Sequence, residues 1–285
     1  MHVEKDWHNM TEIKQSMIGH INTLQIKPNA SSAKKPPVLL VHGAWHGAWC
    51  WEGNYLDYFS DAGHETWAMD LRGHGDSANT KPFRLTTIGD YVKDVEAVIE
   101  VMPAPPIVIG HSMGGLVCQH VLNGNANVRG IGLLASLPAS GVAGTKIKAH
   151  PLKTLQSTLT WSLYPMVSDR KNAAYMFLDL DADEATIDRL MDNLGDEAYF
   201  AFLGMLAFAL PKAPKMALQT PVCVVSAEND TIIPVKLQET LAARFDVTAN
   251  VIANAPHDLM LSKRWEDSAR VFLNWIETLP GAASA

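Results

Sequence analysis

Between residues 12 and 27 the apolar positions Ile13, Met17, Ile21, Leu24 and Ile26 alternate loosely, which predicts a leading pair of strands before the breaker cluster Pro28-Asn29-Ala30-Ser31-Ser32. From residue 37 the rhythm changes. Short, continuously apolar runs bounded by Gly or Pro occur at 38–41, 66–71, 107–109, 130–135, 222–226 and 251–252. They predict strands buried on both faces, because a strand covered above and below has no solvent side to mark with polar residues. Between them, segments 51–62, 88–102, 114–122, 235–244 and 265–279 carry helical period, and in 88–102 Val92, Val95, Val98 and Ile99 make one apolar stripe. Strand alternating with helix predicts βαβ units around a mostly parallel sheet, an α/β architecture.

The alternation breaks once. From the run ending near Leu137 to the run starting at Val222 there are roughly eighty residues without a strand pattern. Helix-like segments fall at 150–166, 171–178, 183–194 and 197–210, with Asp181 or Asp183 as the cap of the third. In an open α/β sheet the ligand crevice lies outside the carboxyl ends of the strands, so a helical insertion at the sheet's edge is placed to roof it as a lid. The expected division is an N-terminal extension with the leading strands (1–36), a core in two pieces (37–138 and 220–285) and the lid (139–219).

Composition agrees with one large domain carrying an insertion: 285 residues, 47% hydrophobic and 19% charged. It excludes disorder as the main state. The 23 Lys+Arg stand against 30 Asp+Glu, a formal net charge of −7 with no basic block, so neither nucleic acid nor an anionic membrane surface is an expected partner. The three cysteines, Cys50, Cys118 and Cys223, are far apart and form neither a disulfide framework nor a zinc spacing. No metal or cofactor is expected. The opening residues lack the positive flank and apolar run of a secretory leader, and the most apolar stretch, 198–210, is shorter than the ~20 residues a membrane helix needs. These features predict a cytoplasmic monomer or homodimer.

Gly110-His111-Ser112-Met113-Gly114 follows the 107–109 strand and precedes a helix. That is the setting of a nucleophile elbow, where glycine flanks permit a sharp turn and the serine hydroxyl projects above the sheet at a helix N-terminus. A serine is a weak nucleophile unless a base oriented by a carboxylate takes its proton. On a strand–turn–helix scaffold of this kind the order is Ser, acid, His. Of eleven histidines only His257 lies beyond the insertion, directly after a strand-like run. The acid is sought at a strand end between them; Asp230 is preferred to Glu228 because it opens the tight turn Asp230-Thr231-Ile232-Ile233-Pro234.

The tetrahedral oxyanion needs two backbone donors, expected from Met113, after the nucleophile, and from Ala44 in the loop His42-Gly43-Ala44-Trp45-His46-Gly47. His42 and His46 are assigned to structural hydrogen bonding rather than metal. His111 is expected to point away from the Ser112 hydroxyl, since successive residues leaving a strand face opposite ways. The loop Leu71-Arg72-Gly73-His74-Gly75-Asp76-Ser77 lacks a phosphate-binding signature and is expected to be structural, at the sheet's edge.

These motifs together resemble the α/β-hydrolase superfamily over about residues 37–279, through His42-Gly43, Asp70-Leu71-Arg72-Gly73-His74-Gly75, Gly110-His111-Ser112-Met113-Gly114-Gly115, Asp230-Thr231-Ile232-Ile233-Pro234 and His257. Locally, the stretches around His42–Trp51 and His257–Lys263 look like the branch holding plant methyl-ester esterases and hydroxynitrile lyases. The Asp-Leu-Arg-Gly-His-Gly loop is similar to that of bacterial esterases and cofactor-free haloperoxidases. The resemblance implies an α/β-hydrolase fold with a helical lid inserted before the acid-bearing strand. Lyases of the branch carry a threonine and a lysine where this chain has Gly43 and Asp258, and a carboxylate beside the base is no help to a cyanide leaving group.

The expected activity is that of a serine carboxylic-ester hydrolase acting through an acyl-enzyme. Trp45, Trp161, Phe202 and Met205 are expected to line an apolar pocket for uncharged, hydrophobic esters of small to medium size. A C–C bond hydrolase or perhydrolase/haloperoxidase using the same triad, and a non-catalytic ligand receptor, are the alternatives.

Overall fold

The computed structural model describes residues 12–28, 35–124, 126–140, 156–157, 159–208, 210–211 and 220–280. Eight strands share one sheet: β1 (Lys14–Ile18), β2 (Ile21–Ile26), β3 (Val38–Val41), β4 (Thr66–Met69), β5 (Ile107–His111), β6 (Gly130–Leu134), β7 (Val222–Ala227) and β8 (Ala249–Ile252). Their spatial order is β1-β2-β4-β3-β5-β6-β7-β8. The leading pair of strands is present as a β1–β2 hairpin, β2 runs antiparallel to β4, and every pairing from β4 to β8 is parallel. The run at 66–71 gives a strand only to Met69, where its parallel partner β3 ends with Val41 opposite Met69, and the chain then turns into the Arg72–Ser77 loop. That loop follows β4, an interior strand, so it does not lie at the sheet's edge.

The helices are α1 (Tyr55–Asp61), α2 (Ile88–Val101), α3 (Met113–Asn123), α4 (Arg170–Phe177), α5 (Glu184–Asn193), α6 (Tyr199–Leu203), α7 (Val235–Ala243) and α8 (Trp265–Thr278). Strand β3 shows why its sequence is uniformly apolar. Leu39 and Val41 join one core with Val95 and Val98 of α2, Val117 of α3 and Leu241 of α7, while Val38 and Leu40 join the other with Tyr55 and Phe59 of α1 and Phe272 of α8. Each such side chain contributes about 1.5–3 kcal/mol on full burial. Helix α2 starts at a reciprocal cap, Thr87 accepting from the Asp90 N–H while the Asp90 carboxylate accepts from the Thr87 N–H.

Between β6 and β7 the described chain is helical, as expected, but these are interior neighbours, so the excursion leaves the middle of the sheet and not its edge. Asp183 caps α5 by accepting from the Thr186 N–H at 2.8 Å; Asp181 instead pairs with Lys263 Nζ at 2.7 Å. The helix expected over 197–210 is split into α6 and a π-helical turn, Gly204–Phe208. Of the helix expected at 150–166, residues 150–155 and 158 lie outside the described residues, as do 141–149, 209 and 212–219 of the expected lid. The excursion is tied back across the sheet's carboxyl end. The Phe177 carbonyl accepts from the Asp258 N–H (2.9 Å), Arg189 donates to the Trp49 and Glu52 carbonyls (2.8 and 2.9 Å), and the Gly195 N–H bonds the Trp45 carbonyl (2.8 Å).

From β3 the chain passes to β4 on one side, and later to β5 on the other. The loops leaving β3 and β5 therefore diverge, and the gap between them is the topological switch point at which α/β sheets bind ligands.

Candidate active site

Ser112 follows β5 with φ 50° and ψ −114°, and α3 begins at the next residue. Such a conformation costs of order 1–3 kcal/mol and persists only when its surroundings enforce it. Here the Ser112 N–H bonds the Leu134 carbonyl at 3.0 Å and its carbonyl accepts from Leu116 and Leu137. Glycine is needed on both flanks: a Cβ on Gly110 would run into the Gly114 carbonyl and the Cys118 sulfur, and one on Gly114 into the carbonyls of Val41 and His42.

The three residues selected from the sequence meet. Ser112 Oγ lies 3.0 Å from His257 Nε2, and His257 Nδ1 lies 2.7 Å from Asp230 Oδ2. Asp230 is held by its other oxygen, which accepts the N–H groups of Ile232 and Ile233, each at 2.8 Å. Glu228 is turned elsewhere and accepts from the Asn254 N–H at 2.8 Å. Burial alone would lower the pKa of His257; the Asp230 charge and hydrogen bond, with a further contribution from Asp258, outweigh it and hold the imidazole above its usual 6.5.

The Met113 N–H belongs to the first turn of α3, where no intrahelical acceptor exists, and Ala44, in the loop after β3, lines the gap above Ser112. A cavity of about 220 Å³ opens over Ser112. Ala44, Trp45, Phe202 and Met205 line it as expected. Trp161 does not: its ring is 49% exposed and packs on Tyr199 and Phe200, with centroids 5.1 and 6.2 Å away. Trp161 stands in a turn at φ 55°, not on a regular helix face, so helical period could not place its side chain. The remaining wall comes chiefly from Phe177, Met176 and Leu206 of the excursion, Leu137 after β6 and Ile232 beside Asp230.

The histidines divide by role. As expected, His42 is structural: its Nε2 accepts from the Leu71 N–H at 3.0 Å and its Nδ1 donates to the Gly43 carbonyl at 2.7 Å. His111 departs from expectation. It lines the cavity beside Ser112, its ring centroid is 4.8 Å from that of His257, and Nε2 donates to the His257 carbonyl at 3.1 Å. Burial, with the neighbouring His257 charge, pushes its pKa down to about 3, so it is a neutral prop for the base.

His46 points both ring nitrogens at acceptors, the Ala44 carbonyl and Asp258 Oδ2, each at 2.8 Å. Burial would raise the Asp258 pKa; the charges of His46, His111 and His257 and the His46 hydrogen bond overcome that and lower it. No local pattern announces this pair, whose members are 212 residues apart. His111, His257 and Asp258 have ligand atoms within 4.8 Å of one another, but both His257 nitrogens are committed to Ser112 and Asp230.

The sequence profile of the alpha/beta hydrolase family matches residues 38–271. Protein phosphatase methylesterase 1 of Bos taurus is 30% identical over 148 residues, 47% of this chain and 38% of that protein, so the match spans less than half the length of the relative. Methylesterase 3 of Arabidopsis thaliana is 33% identical over 85 residues, 29% of this chain and 32% of that protein. Among solved structures, a soluble variant of monoglyceride lipase from Saccharomyces cerevisiae shares the fold with a TM-score of 0.74 at 18% identity, covering 99% of this chain and 98% of that one. With its profile matched over most of the length and its mostly parallel eight-stranded sheet, the chain belongs to the alpha/beta hydrolase family.

Proposed function

We propose that the protein is a serine carboxylic-ester hydrolase in which Ser112, His257 and Asp230 form the catalytic triad. The observation that carries this reading is the unbroken relay from Ser112 Oγ to His257 Nε2 at 3.0 Å and from His257 Nδ1 to Asp230 at 2.7 Å. His257 takes the hydroxyl proton as Oγ bonds the ester carbonyl carbon, Asp230 fixes the imidazole tautomer and stabilises its charged form, and the carbonyl oxygen becomes an oxyanion between the Ala44 and Met113 N–H groups. Collapse breaks the ester C–O bond, the alcohol leaving with the proton from His257. Water then attacks the acyl-Ser112 by the same steps and releases the acid.

The cavity supports uncharged, hydrophobic substrates of small to medium size. Its described lining holds no Lys, Arg, Asp or Glu, and about 220 Å³ accommodates a short acyl or alcohol group. The described helical residues between β6 and β7 serve as its lid. Methylesterases among the partial relatives favour ester chemistry in the same direction. No helix among the described residues is long and apolar enough to cross a membrane.

A panel of p-nitrophenyl esters graded by acyl length tests the proposal, with Ser112→Ala as control. Turnover of short apolar esters that drops by several powers of ten in Ser112→Ala is expected. Full activity in that variant overturns the mechanism, and response only to a β-diketone or peracid assay would move the same triad to another reaction.

A further inference from the structure

Glu197 is a carboxylate in an unusual place. It lies just ahead of α6, is 1% exposed, and accepts at both oxygens. Oε1 takes the Tyr91 hydroxyl of α2 and the Ala198 N–H, each at 2.7 Å; Oε2 takes the Trp45 N–H at 3.3 Å and His74 Nε2 at 3.2 Å. The excursion, α2, the loop after β3 and the loop after β4 thus converge on one side chain. Burying a charge among donors is a poor way to gain stability, since an apolar group of the same shape serves as well or better. What such an arrangement supplies is position.

The part positioned is the loop after β3. Trp45 stands at φ 64°, a left-handed conformation that non-glycine residues seldom adopt. Its N–H is held by Glu197, its carbonyl by the Gly195 N–H at 2.8 Å, and the carbonyl before it, that of Ala44, by His46 Nδ1 at 2.8 Å. The Gly43 carbonyl is taken by His42 Nδ1 at 2.7 Å. Three successive peptide units are therefore clamped, and Ala44, whose N–H lies on the first of them, lines the cavity. Glu197 itself does not line that cavity, so it acts only through the loop.

We infer that Glu197 is a positioning residue through which the helical excursion sets the direction of the Ala44 N–H toward the oxyanion, a conclusion that rests on the ester-hydrolase reading above. A donor aimed at an oxygen that is fully charged only in the tetrahedral state lowers kcat when it is misaligned and leaves substrate binding almost untouched. Glutamine in place of Glu197 puts an N–H₂ group against one of the present donors and disturbs the clamp without changing its volume.

The test uses the full chain with Glu197→Gln and Tyr91→Phe, the second removing one brace from the carboxylate while keeping the packing. Each variant is assayed with a p-nitrophenyl ester and with phenylboronic acid, to which Ser112 Oγ adds by one new B–O bond as its hydroxyl proton passes to His257, giving a tetrahedral boronate anion that requires the same donors. For Glu197→Gln we expect kcat to fall about tenfold or more with KM within about threefold, and boronate affinity to fall alongside kcat. Tyr91→Phe should shift both in the same direction by a few-fold. Unchanged kcat and boronate affinity in the folded variants, or a change confined to KM, overturns the positioning role. Should Glu197→Gln not fold, the Tyr91→Phe result decides by the same criteria. Absence of Ser112-dependent turnover in the wild type instead removes the ester reading and this inference with it, a distinguishable outcome.

Discussion

At the level of single residues, charge and burial oppose each other at His257, and the direction of the balance gives a pH dependence. Because the Asp230 and Asp258 carboxylates hold the imidazole above its usual 6.5, kcat/KM should rise with pH through a midpoint above that value. Asp230→Asn should move the midpoint down and reduce kcat by about 10⁴-fold, as a pH–rate series on both proteins would show. The linkage runs the same way: a raised histidine pKa contributes stability fully present below about 6.5 and lost as pH rises through the folded-state value. Asp258 has the opposite sign. Its lowered pKa contributes stability above the ordinary carboxylate range near about 3.9, lost as pH falls through the folded value. Asp258→Ala strands the buried His46 ring and should cost about 3–5 kcal/mol in urea unfolding near neutral pH. Of these groups, Ser112, His257 and Asp230 could be read from the chain because each sits at a strand end, where chain order limits the choices. The partners of Asp258 and Glu197 could not, because a carboxylate's role depends on which distant donors it meets.

Among the elements, the β5–Ser112–α3 turn is the one on which the chemistry depends most. Gly114→Ala would set a Cβ against the Val41 and His42 carbonyls, pushing α3 away from β3. We expect a loss of about 1–3 kcal/mol in stability and a kcat fall larger than the unfolded fraction explains, measured by thermal unfolding beside the ester assay. Where an element is covered on both sides or capped locally, its sequence announced it: β3, β5 and α2 lie where the apolar runs and the apolar stripe place them. Where neighbours replace the local pattern, the reading slipped. The 66–71 run ends early because its parallel partner β3 stops at Val41, opposite Met69, and the 197–210 helix is interrupted at Gly204 by a π-helical turn whose Met205 and Leu206 face the cavity.

Over the whole molecule, the site exists only because five separated stretches close on one gap: the loop after β3, the elbow after β5, the excursion between β6 and β7, and the turns after β7 and β8 that carry Asp230 and His257. Phe202 packs on Trp45, with ring centroids 5.6 Å apart, across the joint between the first and third of these. Phe202→Ala should enlarge the cavity and move preference toward longer esters, raising their kcat/KM relative to acetate by about tenfold or more, since a methylene in an apolar pocket is worth about 1–3 kcal/mol. An unchanged acyl-length profile would show that Phe202 does not bound the substrate. The α/β order, the elbow and the Ser–acid–His sequence were legible because backbone strain, burial on two faces and strand ends leave marks in neighbouring residues. The roles of Trp161, His111 and Glu197 were not, because the direction of a side chain inside a folded chain is decided by what stands across from it: Trp45 and Glu197 are 152 residues apart, and only folding brings the N–H of one to the carboxylate of the other.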